Sequence, residues 1–505
     1  MKRLVLVLLA LVLLAAGGFT WVSRQAGLEV AEAIAEQQAF VARQPWLRIV
    51  SQTYDRGLFA STASATVELR GPYAEAVGQA LARAAGIQGP VRLAYLHDIR
   101  HGPLPNWRQG DLTPARAVVE TRFRLEGDLG NRLPELFGPE APALVVTEFI
   151  DAQGGIAHLR LPAVSRDLAG GARLAWQGLA GDIRFTRAYD SIRSDLAMPA
   201  LELTGRDGRA ALNRISLKAD MRLGAHGLWL GTADARAGEF TANWPGMNLV
   251  ATGAGYRTGV TEVGEFLDVT GDMGAEGIEA QAEKAGPVRL AFSVKHLHGP
   301  TVKALRDAAE ALQQRNLKPR EEMLEQMALT RRFVGDLMRH QPELRIDELS
   351  FRMPAGDLKL SFALRVARYD EESAANPLKA LDGIEADLDL DLAEPLALAL
   401  GEKALRQRGR LAMPGAVEDP EADGQARSAA SDQINALVVQ GHLVRDGDRL
   451  KTSARWREGG LKVNGFPVGV PFARPAESPP SGNVLLPPPD LPPRNPPVGA
   501  PSPAR

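Results

Sequence analysis

The chain has 505 residues, no cysteine, and 59 basic residues against 61 acidic ones, for a formal net charge of −2. That length allows several buried cores, and 45% hydrophobic against 24% charged residues is a globular composition rather than a disordered one. Balanced charge gives the molecule as a whole no electrostatic pull toward nucleic acid, and the missing cysteine excludes disulfides, thiolate metal sites, a cysteine nucleophile and lipid on an N-terminal cysteine.

At the N-terminus, Lys2 and Arg3 precede an uncharged, Leu-rich stretch over residues 4–22. At 1.5 Å per residue it approaches the ~30 Å hydrocarbon thickness of a bilayer. The positive pair predicts a cytoplasmic start and a body on the far side of the membrane. Two readings stand: a transmembrane anchor over residues 1–23, or a secretory signal cleaved near Ala15 and Gly17. Both export the remainder of the chain. Over residues 29–41, Val30, Ala33, Ile34, Gln37 and Val41 recur at helical spacing, which predicts an amphipathic stalk helix within residues 24–45 that Pro45 ends.

Beyond that point the apolar period is two. Ile215, Leu217, Ala219, Met221 and Leu223 alternate with Ser216, Lys218, Asp220 and Arg222, so one side of that strand is apolar and the other charged. Leu358, Leu360, Phe362, Leu364 and Val366 repeat the pattern, as do Leu349, Phe351 and Met353. Turn residues stand between such runs at Gly154-Gly155, Ala355-Gly356-Asp357 and Asp446-Gly447. Consecutive hairpins predict an antiparallel sheet whose apolar side must be covered by curling, by a second sheet or by helices.

The stretch GPVRLAYLHDIRHGP over residues 89–103 recurs as GPVRLAFSVKHLHGP over residues 286–300 without a gap. This internal repeat predicts two related β-rich halves, residues 46–285 and 286–474. In each copy a strand ends in His-Gly-Pro, where proline stops further pairing. A helical pair comes after the second copy over residues 301–339, with Pro319 suited to a first turn. Its apolar stripe of Met323, Leu324, Met327, Phe333, Val334, Leu337 and Met338 is expected to pack on the sheet. Residues 475–505 are crowded with proline and read as a disordered tail. The fold class is therefore α+β, mostly β: a transmembrane helix, two antiparallel curled-sheet halves, a few packed helices and the tail.

Tyr54-Asp55-Arg56-Gly57-Leu58-Phe59 with Ser61, then Ile99-Arg100-His101-Gly102-Pro103, resemble a motif set of the YdgA-like family of Gram-negative envelope proteins. Gln440-Gly441-His442-Leu443-Val444, Asp446-Gly447-Asp448 and residues 460–465 resemble its closing pattern. The resemblance spans nearly the whole chain except the tail. It implies inner-membrane attachment and a periplasmic body, and it supplies no catalytic residues, because the family's biochemical role is unknown.

Candidate chemistry is sparse. His97 and His101 share one side of a strand, as do His296 and His298, and two such pairs could meet around zinc; a histidine closing a strand by bonding to backbone is the structural alternative. Glu385, Asp387, Asp389 and Asp391 point to one side of a strand, ~6.7 Å apart, too far for one strand alone to chelate calcium, which predicts a solvated acidic face. The segment 54–61 holds Asp55, Arg56 and Ser61 without an accompanying base. No nucleophile elbow, zinc-binding helix, phosphate loop or dinucleotide fingerprint is present. The expectation is no catalytic, metal or cofactor residue and no cofactor. The expected role is a non-catalytic envelope factor, single-pass in the inner membrane through residues 4–22, that binds lipid or protein. The alternative is an exported hydrolase whose site assembles only in three dimensions.

Overall fold

A computed structural model describes residues 2–469, apart from 43, 45, short segments between 72 and 87, 129, 132–144, 151–152, 168–170, 282, 316–318 and 413–419. The proline-rich stretch 475–505 lies outside the described residues. Helix α1 (Lys2–Ala42) leads into strands β1 (Leu47–Arg56), β2 (Ala60–Leu69), β3 (Arg92–His101), β4 (Ala117–Glu126), β5 (Val145–Ile150) and β6 (Gly154–Leu161). Next come β7 (Val164–Asp167), β8 (Arg173–Trp176), β9 (Leu179–Thr186), β10 (Ser191–Thr204), β11 (Arg209–Leu223), β12 (Trp229–Trp244), β13 (Met247–Val263) and β14 (Phe266–Ala275). After the short β15 (Gly277–Ala280) and β16 (Glu283–Ala285), β17 (Val288–His298) runs into the helical hairpin α2 (Gly299–Gln314) and α3 (Pro319–Met338). The chain closes through β18 (Glu343–Met353), β19 (Gly356–Val366), α4 (Glu371–Ala375), α5 (Pro377–Asp382), β20 (Ile384–Ala393), a second helical pair, and four last strands. That pair is α6 (Glu394–Ala412) and α7 (Pro420–Val439); the strands are β21 (Val444–Asp446), β22 (Arg449–Arg457), β23 (Gly460–Val463) and β24 (Phe466–Val468).

Every pairing among these strands is antiparallel, and together they form one sheet. Its long axis runs β1 to β6, then β9 to β14, then β17 to β20, then β22 to β24. From β10 to β14 and from β18 to β19 strand neighbours in sequence are neighbours in space through short turns, as alternating sequence and turn chemistry predict, while β17 and β18 are joined through a helical hairpin.

Among the described residues no helix is long and apolar enough to cross a membrane. This corrects two expectations: a transmembrane helix over residues 4–22, and a single-pass inner-membrane protein held through that segment. The physical reason is that the anchor and the stalk are not separate pieces. Helix α1 continues unbroken past Val22 to Ala42, and from Phe19 onward it is engaged with protein. Phe19 lies 6.1 Å from Phe59 and meets Trp107 edge-on at 6.3 Å. Ser23, Ala26, Val30 and Ile34 are buried at helical spacing, and Val30 and Ile34 form one cluster with Ala63, Ile99, Ala117 and Val119 of β2, β3 and β4.

Two smaller cores hold other junctions. Ala65, Val67 and Tyr95 pack with Val41 and Ile49; Leu228, Leu230 and Leu267 pack with Val260, Leu297 and Val302, docking the start of α2. Helix α6 seats Leu396, fully buried, against the ends of β19 and β20. Gly356, at the start of β19, has φ +135°, and a Cβ there would lie 2.3 Å from the Ala393 methyl, so only glycine lets this corner close. The stripe expected to cover the sheet from α3 does not do so: Met323, Leu324, Met327 and Val334 are exposed, and Phe333 is the member that is buried.

Candidate binding surface

The long middle of the sheet has two chemically distinct sides. On β19 the residues Leu358, Leu360, Phe362 and Leu364 stand opposite Leu392, Leu390, Leu388 and Ala386 of β20. On the other flank, Leu360, Phe362 and Leu364 face Leu349, Ile346 and Leu344 of β18, and those face Leu290, Phe292 and Val294 of β17. Met273 and Val269 of β14 extend the row, then Tyr256 and Val260 of β13, Ala235 of β12 and Leu217 of β11. It ends at Leu196 of β10. None of these apolar side chains is buried; all are half-buried, except Leu217, Tyr256, Met273 and Leu344, which are exposed. The helices touch the sheet mainly at strand ends: α1 on β1, β3 and β4, α2 on β17, where Val302 joins the cluster that includes Val260 at the edge of the row, and α6 on β19 and β20.

The opposite side is charged and paired with itself. The row Glu385, Asp387, Asp389 and Asp391 is not a solvated acidic face. Arg365 binds Glu385 from β19, and from β22 Arg455 reaches Asp389 at 2.9 Å and Arg457 reaches Asp387 at 2.8 Å. Arg449 bonds to Asp357 and Asp391 together; its hydrogen bond to Asp357 is the first cause of a guanidinium pKa raised further still, and the same bond lowers that of Asp357. Toward the other end, Arg289 bridges Asp272 at 2.6 Å and Glu348 at 3.0 Å. Such cross-strand pairs on an exposed face contribute under ~1 kcal/mol each, so they set register and solubility more than stability. A hollow of about 710 Å³ lies among Arg345, Asp347, Arg365, Asp387 and Arg455, with every one of those charges already partnered.

A line of irregular residues crosses four long strands. Pro199, Arg214, Gly238 and Gly253 drop out of otherwise constant registers, and Arg214 and Gly253 have φ of +53° and +60°. The apolar period changes phase there: Ile192, Leu196 and Met198 give way to Leu201 and Leu203, and Ile215 and Leu217 are preceded by Leu212 and Ala210. A residue out of the extended region does not pass the pleat on, so the break in alternation keeps the leucines to one side of the sheet.

The two histidine pairs, which could have met around a metal, do not come together. His97 and His101 lie on β3, while His296 and His298 lie on β17, many strands away along the sheet. Among the described residues no group of three or more His, Cys, Asp or Glu side chains is placed to hold a metal ion. His101 is buried. Its Nδ1 faces the Ser23 carbonyl at 3.1 Å and must carry the proton, so its Nε2 accepts from the Ser61 hydroxyl at 3.1 Å. A serine bonded to that nitrogen is the tautomer that acyl transfer needs, but Ser61 and His101 are only 4% and 3% exposed. A substrate would have to displace α1 to reach them, so the pair works as a clamp between helix and sheet. Gly102 belongs to it: φ is +132° and a Cβ would lie 2.5 Å from the Ser23 hydroxyl. His97 donates to or accepts from Thr121 at 2.6 Å, and burial lowers its pKa to about 4.

The second copy gathers histidines that lie far apart in the sequence. His298 stacks on His340 at 3.7 Å and His296 stacks on Phe266 at 3.7 Å. His296 Nδ1 donates to the His340 carbonyl at 2.8 Å. His226 stands 3.7 Å from Glu262, and His298 stands 3.9 Å from Glu265. His226 and His340 carry no local motif; only the fold brings them to the strand end.

Residues 1–471 match a family described as bacterial protein of unknown function (DUF945). No curated protein and no solved structure matches the chain.

Proposed function

Because the chain belongs to this bacterial family of unknown function, we propose from its geometry that it is a non-catalytic binding protein whose apolar sheet side receives the acyl chains of a lipid or lipid-modified molecule. The observation that carries the reading is the continuous row of half-buried and exposed apolar side chains from Leu196 on β10 to Leu388 and Leu390 on β20. At ~4.8 Å between neighbouring strands the row is roughly 40 Å long. Isolated exposed leucines are ordinary, whereas apolar side chains that run on across neighbouring strands for such a length mark a surface that is used.

Three features favour an acyl ligand. Apart from the Tyr256 hydroxyl the row is made of apolar side chains, chiefly Leu, Ile, Val, Met and Phe, so it offers mostly non-directional contact worth ~25 cal/mol per Å² covered. Backbone donors and acceptors along it are consumed by the pairing of β10 to β20 and are not open to another strand. The charged groups lie on the opposite side, bonded to one another. A ligand held this way needs no preorganised catalytic group.

The test is extraction and mass spectrometry of material that copurifies with the full chain, together with titration by a fluorescent fatty acid. Bound lipid in near-stoichiometric amount is expected, and Phe362→Asp with Leu390→Asp should abolish it while leaving circular dichroism unchanged. Lipid-free protein that also fails to bind the fatty acid would refute the reading.

A further inference from the structure

The hairpin α2–α3 leaves and rejoins the sheet at a single point. His298 is the residue before α2, and His340 comes two residues after Met338, the last residue of α3. Their rings are stacked nearly parallel, 3.7 Å apart with an interplanar angle of 13°. A second stack, His296 on Phe266, lies beside the first, and His296 is tied to the His340 backbone. The two feet of a helical hairpin are thus closed by imidazole against imidazole. Beyond Val302 and the buried Phe333, the hairpin carries its Met323, Leu324 and Met327 stripe uncovered.

We infer that the stacked pair His298–His340 is a proton-operated latch, and that mild acid releases the α2–α3 hairpin from the sheet. Two imidazolium ions cannot remain face to face at 3.7 Å, because like charges at that separation repel and neither is well hydrated. The groups facing the pair are Glu265 from the β13–β14 turn, His226 from the turn before β12, which is itself 3.7 Å from Glu262 of β13, and the Thr301 hydroxyl, 2.8 Å from His298 Nδ1; Asp268 accepts from the His296 amide. On α2 itself Lys303, Asp307 and Arg306 are paired among themselves. Burial first, then His340 and His226, lower the His298 pKa against the pull of Glu265. The folded latch therefore holds His298 neutral, and its contribution is complete above the free imidazole pKa of 6.5 and declines as pH falls below it. Glu265, 3.9 Å from His298, gives a released imidazolium somewhere to go, which makes the open form an alternative state rather than an unfolded one. This latch does not depend on what occupies the apolar side.

Because the chain lacks cysteine, Met327→Cys and Lys218→Cys in the full chain can be labelled with a donor–acceptor dye pair that is insensitive to pH. A reversible shift in transfer efficiency between about pH 7.5 and about pH 5.5, on either side of the free imidazole value, is expected. In His340→Phe, which keeps a ring on His298 but takes no proton, the shift should vanish while circular dichroism stays that of the parent. Should that variant fail to fold, His340→Tyr serves the same purpose. Equal efficiency at both pH values, or a shift that persists in the folded phenylalanine or tyrosine variant, would overturn the latch.

Discussion

The two copies of the repeat share nine of their fifteen residues and hold helices in different ways. In the first, Ile99 is 1% exposed beneath α1 and His101 bonds to Ser23 and Ser61 in the interior. In the second, the position of Ile99 is taken by His296, which sits at φ +60° beside a shift in the β14–β17 register, and the position of His101 is taken by His298, stacked on another imidazole. A strand ending in His-Gly-Pro thus presents a ring to a packed helix, α1 in the first copy and the α2–α3 hairpin in the second. What differs is whether that ring is locked by apolar packing or left in reach of protons.

The comparison breaks most directly at its apolar member. Ile99→Ala should cost about 2–5 kcal/mol in denaturant unfolding, whereas His296→Ala should cost less than ~1 kcal/mol, because only the first opens a cavity in a closed core. Equal losses would mean the copies are packed alike. Next in size is His97, which has Val294 as its counterpart in the second copy. With its pKa lowered to about 4 by burial, it contributes stability that is fully present above about pH 6.5 and lost as pH falls toward about 4, on the order of 3 kcal/mol. Melting curves of wild type should drop over that window, and His97→Leu should flatten the slope. His101→Phe leaves the Ser23 carbonyl and Ser61 hydroxyl buried without their partner and should cost ~1–3 kcal/mol, with amide exchange rising along residues 23–42. The smallest effect belongs to the charged side: Arg455→Ala should change stability by under ~1 kcal/mol despite its pairs to Asp387 and Asp389, and less at high salt.

Much of the sheet was legible. Period-two alternation located β11, β18, β19 and β20; Gly356 marked the β18–β19 turn and Gly447 the turn between β21 and β22. Proline placed the start of α3 within the described chain. Three features were not legible, each for a reason. Helices α6 and α7 escape notice because alternation leads into β20 and resumes only at His442. The continuity of α1 was missed because hydropathy separates residues 4–22 from 29–41, while the backbone between them, through Ser23, Arg24 and Gly27, has no breaker strong enough to stop a helix. The arginine partners of Asp387 and Asp389 lie some seventy positions downstream, where the spacing Arg455-Trp456-Arg457 matches the acidic spacing only once the strands are known to be neighbours. The apolar row was foreseen as a side needing cover; that it keeps none from α3 could come only from the packed coordinates.

The line through Pro199, Arg214, Gly238 and Gly253 has a bearing on how such a chain can diverge. Each of the four strands counts its pleats from both ends toward that line, so losing or gaining one residue in a single strand would turn half of it inside out relative to its neighbours. Relatives are therefore expected to keep or abandon these four positions as a set, and independent drift at any one of them would show that the interruption is incidental.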